Sequence, residues 1–338
     1  MHRPSLVANG LARLIRGIRS YATDADIASA RSYCLTQLQK SHHEAHLIHR
    51  FVPPPIQDAY AALRALNMEL VRLPELVSKP IMGEMRIKFW QDSLDRTFSD
   101  DPPREPICVL LGQALRQLEN RAGGDASRQS IKFWISRLVR TRQRYMDNRP
   151  FPNLAALEDY AENTYSTLIY ATLAFIPLRS TQLDHLASHT PKGASAPSPR
   201  TPVLLLPLDV MSSAGVKEED VFRSGPRAPG LQDAVFKVAT RAHDHLLTAR
   251  EMLARLTRGE DAGHECEHGV VEDDDVYGGG DDDVREGLRR CFGVFLEAIP
   301  AGVYLDALEK VNFDPWAVGS SGWRLPWRIW RALSKREL

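Results

Sequence analysis

Several features that identify common protein classes are scarce in this chain of 338 residues. It has four cysteines and no Cys-x-x-Cys pair, so neither a zinc ribbon nor a disulfide framework is indicated. Its longest apolar run, Leu168–Leu178, is shorter than the about 18 to 20 residues that a membrane-spanning helix needs. Basic and acidic residues number 43 each, without the basic excess that is typical of nucleic-acid-binding proteins. We therefore expect no nucleic acid among its partners.

The balanced charge hides a basic N-terminal segment. Residues 1–23 contain four arginines and no acid, and the arginines lie opposite an apolar helical face. The stretch Arg19-Ser20-Tyr21-Ala22 resembles a site of mitochondrial matrix processing. An ordinary surface helix is the alternative, but surface helices normally mix both charge signs. The segment therefore predicts a mitochondrial transit peptide over 1–23.

Helical periodicity dominates the chain from residue 24 onward, and no convincing alternating strand is present. Within 57–71, apolar side chains recur every three or four residues after the stop signal at 53–55. Predicted helices cover 25–49, 57–73, 78–98, 106–120, 130–147, 154–175, 231–257, 283–297 and 301–311. The pattern predicts one all-α domain over 24–338.

Two segments interrupt the helical pattern. Residues 190–202 are rich in proline, serine and glycine and predict a loop. Residues 260–286 hold twelve acidic residues against one basic residue, Arg285, and predict a disordered acidic insertion. Apart from this insertion and the N-terminal segment, the body of the chain is moderately basic.

Five segments, in the same order and at similar spacing, resemble the squalene and phytoene synthases. They are the helix at 59–71, the Arg-x-x-x-Trp pattern within 85–92, the helix at 159–168, the Leu-Pro-x-Asp at 206–209 and the closing segment at 304–314. The resemblance covers about residues 28–315 and implies an all-α, isoprenoid-synthase-like helical bundle. The phrases LRALNMELVRL, MRIKFWQD and YAENTYSTLIY are similar to a mitochondrial branch of the family, the complex I assembly factor 6 group.

The resemblance also indicates what has become of the catalytic chemistry. In the synthases, aspartates at i and i+4 on two facing helices bind Mg²⁺ and prenyl diphosphates. The first pair falls here on Met68 and Arg72, and the second falls in 194–200, which contains no aspartate. A thioether is a poor Mg²⁺ ligand and a guanidinium repels the ion. We therefore expect a pseudoenzyme with no catalytic residue, no metal site and no cofactor; the alternative is a Mg²⁺-dependent prenyl transferase of the squalene/phytoene synthase type.

The function implied by the resemblance is non-catalytic assistance in early assembly of respiratory complex I. The expected location is the mitochondrial matrix, peripheral to the inner membrane, and the expected partners are complex I subunits or other assembly factors. The inherited cavity would hold a hydrophobic lipid or peptide; a plain lipid-binding protein is a third hypothesis. The residues predicted to line the groove are Glu69, Arg72, Arg86, Trp90 and Tyr165.

Other clusters are interpreted more simply. Asp92 and Asp95 lie beside basic residues and predict a solvated ion-pair face. The histidines at 42, 43, 46 and 49 predict an exposed or core-edge cluster rather than a metal site. The run at 264–268 contains two histidines and a cysteine but lacks the helical face that a zinc site would need.

The C-terminal tail alternates tryptophan with arginine. This composition suits a membrane interface, with indoles at headgroup depth and arginines on anionic lipid. The alternative is a closing helix whose tryptophans fill the core. The residues predicted to meet the membrane are Trp323, Trp327, Arg328 and Trp330.

Overall fold

The computed structural model describes residues 22–76, 80–119, 124–176, 180–190, 206–261, 281–319 and 322–338. All regular secondary structure in these ranges is helical, which confirms the all-α prediction. The predicted transit peptide over 1–23 lies almost entirely outside the described residues. So do most of the predicted loop at 190–202 and most of the predicted insertion at 260–286.

Fifteen α-helices are present in the described ranges. They are α1 (Asp24–Ser41), α2 (His43–His49), α3 (Gln57–Leu76), α4 (Pro80–Phe98), α5 (Pro106–Glu119), α6 (Gly124–Arg144), α7 (Leu154–Ala161), α8 (Thr167–Leu173), α9 (Thr181–His189), α10 (Leu208–Ser213), α11 (Glu218–Ser224), α12 (Leu231–Arg258), α13 (Asp281–Phe295), α14 (Ala298–Lys310) and α15 (Arg324–Lys335). The periodicity does not predict α9, α10 or α11, because such short helices contain too few turns to show a period. It also places the start of α6 at residue 130, whereas the helix begins at Gly124.

The first predicted helix is two helices. α1 starts at a capping box, in which the Thr23 hydroxyl accepts from the Asp26 amide at 3.2 Å and the Asp26 carboxylate accepts from the Thr23 amide at 2.8 Å. The prediction of one helix over 25–49 is wrong at His42, where φ of −148° and ψ of 67° leave the helical region. As a result Ser41 is the last residue of α1.

The centre of the bundle is α3. Every residue from 59 to 67 is buried, so this helix has no solvent-facing side over more than two turns. It packs on α1 and α5 and also touches α2, α4, α6 and α8. Two polar side chains, Arg64 and Asn67, are therefore carried into the core, each about 2% exposed.

Two apolar clusters make up the core. The large cluster runs from Ile27 on α1 to Ile329 on α15, and the smaller one surrounds α10, α11 and the first half of α12. α12 contributes Val235 to the smaller cluster and Leu253 to the large one. This long helix therefore joins the two parts of the core.

The predicted helix over 154–175 is interrupted by a π-helical turn. α7 ends at Ala161, residues Glu162–Ser166 are π-helical, and α8 then continues the chain. The Thr167 hydroxyl donates to the Glu162 carbonyl at 3.0 Å. Single π turns inside α-helices are rare and are frequent at functional sites.

The last turn of α13 packs closely on the connection between α2 and α3. Gly293 lies so near that a Cβ added to it would be 2.0 Å from the Phe51 carbonyl oxygen. Only glycine fits this position without displacing backbone.

The lengths and compositions of the described helices bear on membrane crossing. None of them is by itself long and apolar enough to cross a membrane. Val284–Phe295 and Ala298–Lys310 meet the length and composition criteria only as a pair, bent by 52°.

Candidate functional site

Met68 and Arg72, at the positions where the synthases have their first pair of metal-binding aspartates, lie near the end of α3. Met68 is half-buried against the large apolar cluster. The Arg72 guanidinium donates a hydrogen bond to the Ser41 hydroxyl at the end of α1. These positions thus present a thioether and a cation, neither of which suits a hard metal ion.

A small electrostatic group surrounds Arg72. Burial raises the pKa of Tyr33, the charges of Glu69 and Glu105 raise it further, and Arg72 lowers it. Glu105 accepts the Cys108 amide at 2.9 Å and so caps α5; burial raises the pKa of Glu105 as well. Of the two carboxylates near Arg72, Glu69 and Glu105, the second is therefore engaged in helix capping. Across the described residues, no three His, Cys, Asp or Glu side chains are grouped closely enough to hold a metal ion.

The two predicted groove residues on α4 differ in their surroundings. Arg86 is exposed, whereas Trp90 is 4% exposed within the large cluster, with its ring edge-on to Phe89 at 5.4 Å. Within the described part of the chain, neither residue has a hydrogen bond or ion pair to Glu69 or Arg72. The structure thus keeps Trp90 as a core side chain and leaves Arg86 facing solvent.

Tyr165, the fifth predicted groove residue, lies beside a buried arginine. Arg142 on α6 is 7% exposed and donates to Asn67 Oδ1 at 2.9 Å and to the Tyr160 hydroxyl. Its guanidinium carbon is 5.3 Å from the Tyr160 ring centre and 5.6 Å from that of Tyr165. No carboxylate among the described residues forms an ion pair with it. Tyr160 on α7 and Tyr165 in the π turn both lie beside this cation, and their ring faces stabilise it.

A second buried arginine joins α3 to the α13–α14 turn. Arg64 Nη2 lies 3.0 Å from Glu297 Oε1, and the two side chains are 2% and 12% exposed. The Tyr60 hydroxyl donates to the same carboxylate, and burial raises the pKa of Tyr60 well above its ordinary value. The Arg64 guanidinium also lies 5.3 Å from the Tyr60 ring centre. Sequence analysis does not predict this pairing, because Tyr60 and Glu297 are 237 positions apart.

A third polar group connects α7, α9 and α12. Glu158 Oε1 lies 3.1 Å from His245 Nε2, and His245 Nδ1 lies 3.2 Å from His189 Nδ1. The contact with His245, helped by Arg241, lowers the pKa of Glu158 to about 2 although burial opposes it. The sequence does not predict this group, since none of its residues is part of a recognisable motif.

The remaining predicted clusters are mostly structural. Asp92 pairs with Lys88 at 2.8 Å and Asp95 with Lys132 at 2.9 Å, all on the surface, which confirms the predicted ion-pair face. The histidine cluster contains buried ring nitrogens at His42, His46 and His49 that have no hydrogen-bond partner among the described residues. The run at 264–268 lies outside the described residues.

The C-terminal tail forms α15 and the residue that precedes it. Trp323, Trp327 and Trp330 are 78%, 51% and 56% exposed, so these tryptophans do not fill the core. Arg328 Nη1 lies 2.8 Å from Asp306 Oδ2 on α14, which ties this arginine to the body of the protein. The structure therefore groups the three tryptophans on the surface but gives Arg328 an acidic partner.

The fold has counterparts among known proteins. The squalene/phytoene synthase family matches residues 38–192 and 199–331. A crystal structure of a dehydrosqualene synthase in complex with a ligand aligns with a TM-score of 0.64 at 12% identity, and the alignment covers 92% of this chain and 98% of that chain. At this identity the likeness shows the fold alone, and it confirms the predicted isoprenoid-synthase-like bundle.

Curated relatives share one name. A Bos taurus protein is 32% identical over 317 residues, which cover 91% of this chain and 83% of the relative. A Homo sapiens protein is 31% identical over 290 residues, which cover 83% of this chain and 74% of the relative. Both are named "NADH dehydrogenase (ubiquinone) complex I, assembly factor 6", and a Drosophila melanogaster protein with 30% identity over 290 residues is named its homolog. These similarities confirm the resemblance to that branch of the family.

Proposed function

The chain belongs to the squalene/phytoene synthase family, and we propose that it is a non-catalytic member that assists early assembly of respiratory complex I. The observation that carries the proposal is its similarity, at 31–32% identity over most of both chains, to mammalian proteins named for that role. The fold itself cannot decide between synthase and assembly factor, because one fold supports many functions.

The end of α3 supports the absence of catalysis. A carboxylate attracts a divalent cation, whereas the Arg72 guanidinium reverses the sign of the local potential. The hydrogen bond from Arg72 to Ser41 ties this guanidinium to the end of α1. Met68 supplies no oxygen. Binding Mg²⁺ and a diphosphate here would need ligands from elsewhere in the chain.

A binding role is supported by an exposed apolar face on α4. Ile81, Met85 and Phe89 lie four residues apart along the helix and are 61%, 62% and 47% exposed. Exposed apolar patches mark interaction sites, and methionine adapts to varied partners. We assign this face to a hydrophobic segment of a complex I subunit or of another assembly factor. Glu69, Arg72 and Tyr165 remain the proposed groove residues for a lipid or peptide.

The proposed location follows from the function. Assembly of complex I places the protein in mitochondria, and we propose the matrix side, peripheral to the inner membrane. The basic, acid-free segment 1–23 would serve as the transit peptide. Import into isolated mitochondria should shorten the precursor by about this segment; a precursor that enters the matrix uncut would contradict the assignment.

Gene deletion followed by native-gel analysis of complex I tests the function. We expect loss of the mature complex and its restoration by the wild-type gene. The variant Met85→Gln/Phe89→Gln should restore it poorly, whereas Leu247→Gln, which changes a single exposed leucine on α12, should restore it fully. Normal complex I in the deletion strain would overturn the proposal.

The enzyme alternative makes a separate prediction. A prenyl transferase would convert farnesyl or geranylgeranyl diphosphate at a Mg²⁺-dependent rate, with a dehydrosqualene synthase as the positive control. We expect no turnover by the purified chain. Measurable Mg²⁺-dependent product would refute the non-catalytic assignment, while co-purifying lipid together with normal complex I in the deletion strain would favour the lipid-binding hypothesis.

A further inference from the structure

The surface of α15 is divided into stripes with different chemistry. The buried stripe consists of Leu325, Ile329 and Ala332, which are 2%, 0% and 7% exposed. The tryptophan stripe consists of Trp323, Trp327 and Trp330, which are all more than half exposed. At about 100° per residue the two stripes lie on nearly opposite sides of the helix. The indoles therefore point directly away from the body of the protein.

A basic stripe runs along one flank of the tryptophans. It consists of Arg324, Arg331 and Lys335. Within the described residues none of the three forms an ion pair, in contrast to Arg328, which is tied to Asp306. The chain has no acidic residue between Asp314 and Glu337. Among the described residues, the positive charge of this surface therefore has no ion-paired acid.

The basic and tryptophan stripes are in contact. The Arg331 guanidinium carbon lies 5.5 Å from the Trp327 ring centre, and that of Arg324 lies 5.9 Å from the Trp323 ring centre. Such pairs keep each guanidinium close to the face of an indole on the same surface of the helix. Indoles favour the boundary between hydrocarbon and headgroup, and guanidinium groups bind phosphates there.

We infer that α15 docks the chain on an anionic lipid bilayer, with the tryptophan stripe at headgroup depth and the basic stripe on the lipid phosphates. The charge of the surface favours this occupant, because a row of cations without acids complements an anionic membrane. The buried stripe holds the helix in its folded form, so docking needs no coupled folding. The inference deepens the proposed peripheral location and rests on the proposed function only for the identity of the membrane.

Vesicle co-sedimentation of the purified full chain tests the inference. We expect binding to phosphatidylcholine vesicles that contain roughly a third phosphatidylglycerol, and little binding to pure phosphatidylcholine. Arg324→Gln/Arg331→Gln should weaken binding by about 25-fold, since each cationic side chain near the surface contributes about fivefold. The matched control is Arg140→Gln/Arg144→Gln, which removes two exposed charges from α6 and should bind as wild type. All variants share residues 1–23, so any contribution of that basic segment cancels.

Tryptophan spectroscopy provides a second readout. Brominated lipid should quench the wild-type emission, and Trp327→Phe/Trp330→Phe should keep most of the affinity while losing the share of the quenching that comes from these two indoles; Trp323 should still be quenched. Trp327→Ser/Trp330→Ser should lose at least about tenfold in affinity. Unchanged thermal unfolding of these variants would show that the fold is intact, because the replaced side chains are exposed.

Several results would overturn the inference: no vesicle binding by the wild type, equal binding to neutral vesicles, or equal losses in the α6 control. Wild-type vesicle affinity in the α15 variants, together with loss of a bound protein in membrane-free extracts, would instead make this face a protein interface. The vesicle assay contains no complex I, so its failure is distinguishable from failure of the proposed function.

Discussion

Removal of the Glu297 carboxylate is the sharpest test of the core. Arg64 and Glu297 form an ion pair at 3.0 Å with exposures of 2% and 12%, so neither charge can recover full hydration when the other is removed. Breaking a buried pair costs about 3–5 kcal/mol, and the Tyr60 hydroxyl, which also loses its acceptor, adds about 1 kcal/mol. A loss of roughly 4–6 kcal/mol in the free energy of unfolding is therefore expected for Glu297→Ala. The total free energy of unfolding of a natural protein is only about 5–15 kcal/mol.

Urea unfolding followed by circular dichroism measures this loss, and a double-mutant cycle isolates the pair. The loss of unfolding free energy in Arg64→Leu/Glu297→Leu should be smaller, by at least about 2 kcal/mol, than the summed losses of Arg64→Leu and Glu297→Leu. The reason is that the double variant leaves no charge buried without a partner. The control is Glu219→Ala, which breaks a pair with Arg223 whose side chains are 76% and 71% exposed. That change should cost less than about 0.5 kcal/mol.

Two outcomes would contradict this interpretation of the ion pair. A loss below about 1 kcal/mol for Glu297→Ala would mean that water reaches Arg64 in the folded state. Additive single effects would mean that the two charges do not interact, whatever their distance. Either result would remove the argument that this pair fastens α3 to the α13–α14 turn.

Three further predictions concern other parts of the fold. Gly293→Ala should cost about 3 kcal/mol, because its Cβ would meet the Phe51 carbonyl oxygen at 2.0 Å; Gly319→Ala, with nothing within 4 Å, should leave the melting temperature unchanged, and equal effects would contradict the close packing. The pKa of Glu158 is lowered from 4.5 to about 2 in the folded state, so its contribution to stability is present above about pH 4.5 and is lost as the pH falls toward 2. The urea midpoints of wild type and Glu158→Gln should therefore converge over that window, and a constant gap would disagree. Burial raises the pKa of three thiols to about 12: Cys34, Cys108 and Cys291. A Cys266→Ser variant should accordingly resist thiol reagents at about pH 8 until it is unfolded, and rapid labelling of the native protein would be the contrary result.

The long amphipathic helices are predictable from sequence, and the local departures from them are not. α12 is predicted over 231–257 and observed over Leu231–Arg258, because its apolar stripe repeats for many turns. The break at His42 and the π turn at 162–166 have no glycine or proline to mark them. The sequence therefore carries no turn or breaker signal for either feature.

The candidate site likewise has one feature that the sequence predicts and one that it does not. The change from aspartates to Met68 and Arg72 is visible in the sequence, because the family motif has a fixed spacing. The burial of Arg142 is not visible, since it lies in an arginine-rich helix that resembles a solvent-exposed one. Its environment depends on Asn67 and Tyr160, which reach it from two other helices. A single sequence does not contain that information.

The large apolar cluster also sets an order of events for a chain that is made, or imported, from its N-terminus. Ile27 and Ile329 belong to the same buried cluster, so this core cannot close until α15 has arrived. Until then the part of the large cluster that α15 covers stays open, although the helices that pack on α3 all precede residue 174. Such late closure slows folding and leaves apolar surface open to chaperones or to aggregation. A ribosome or import channel that stalled before the last helix would therefore leave a chain whose large core is incomplete.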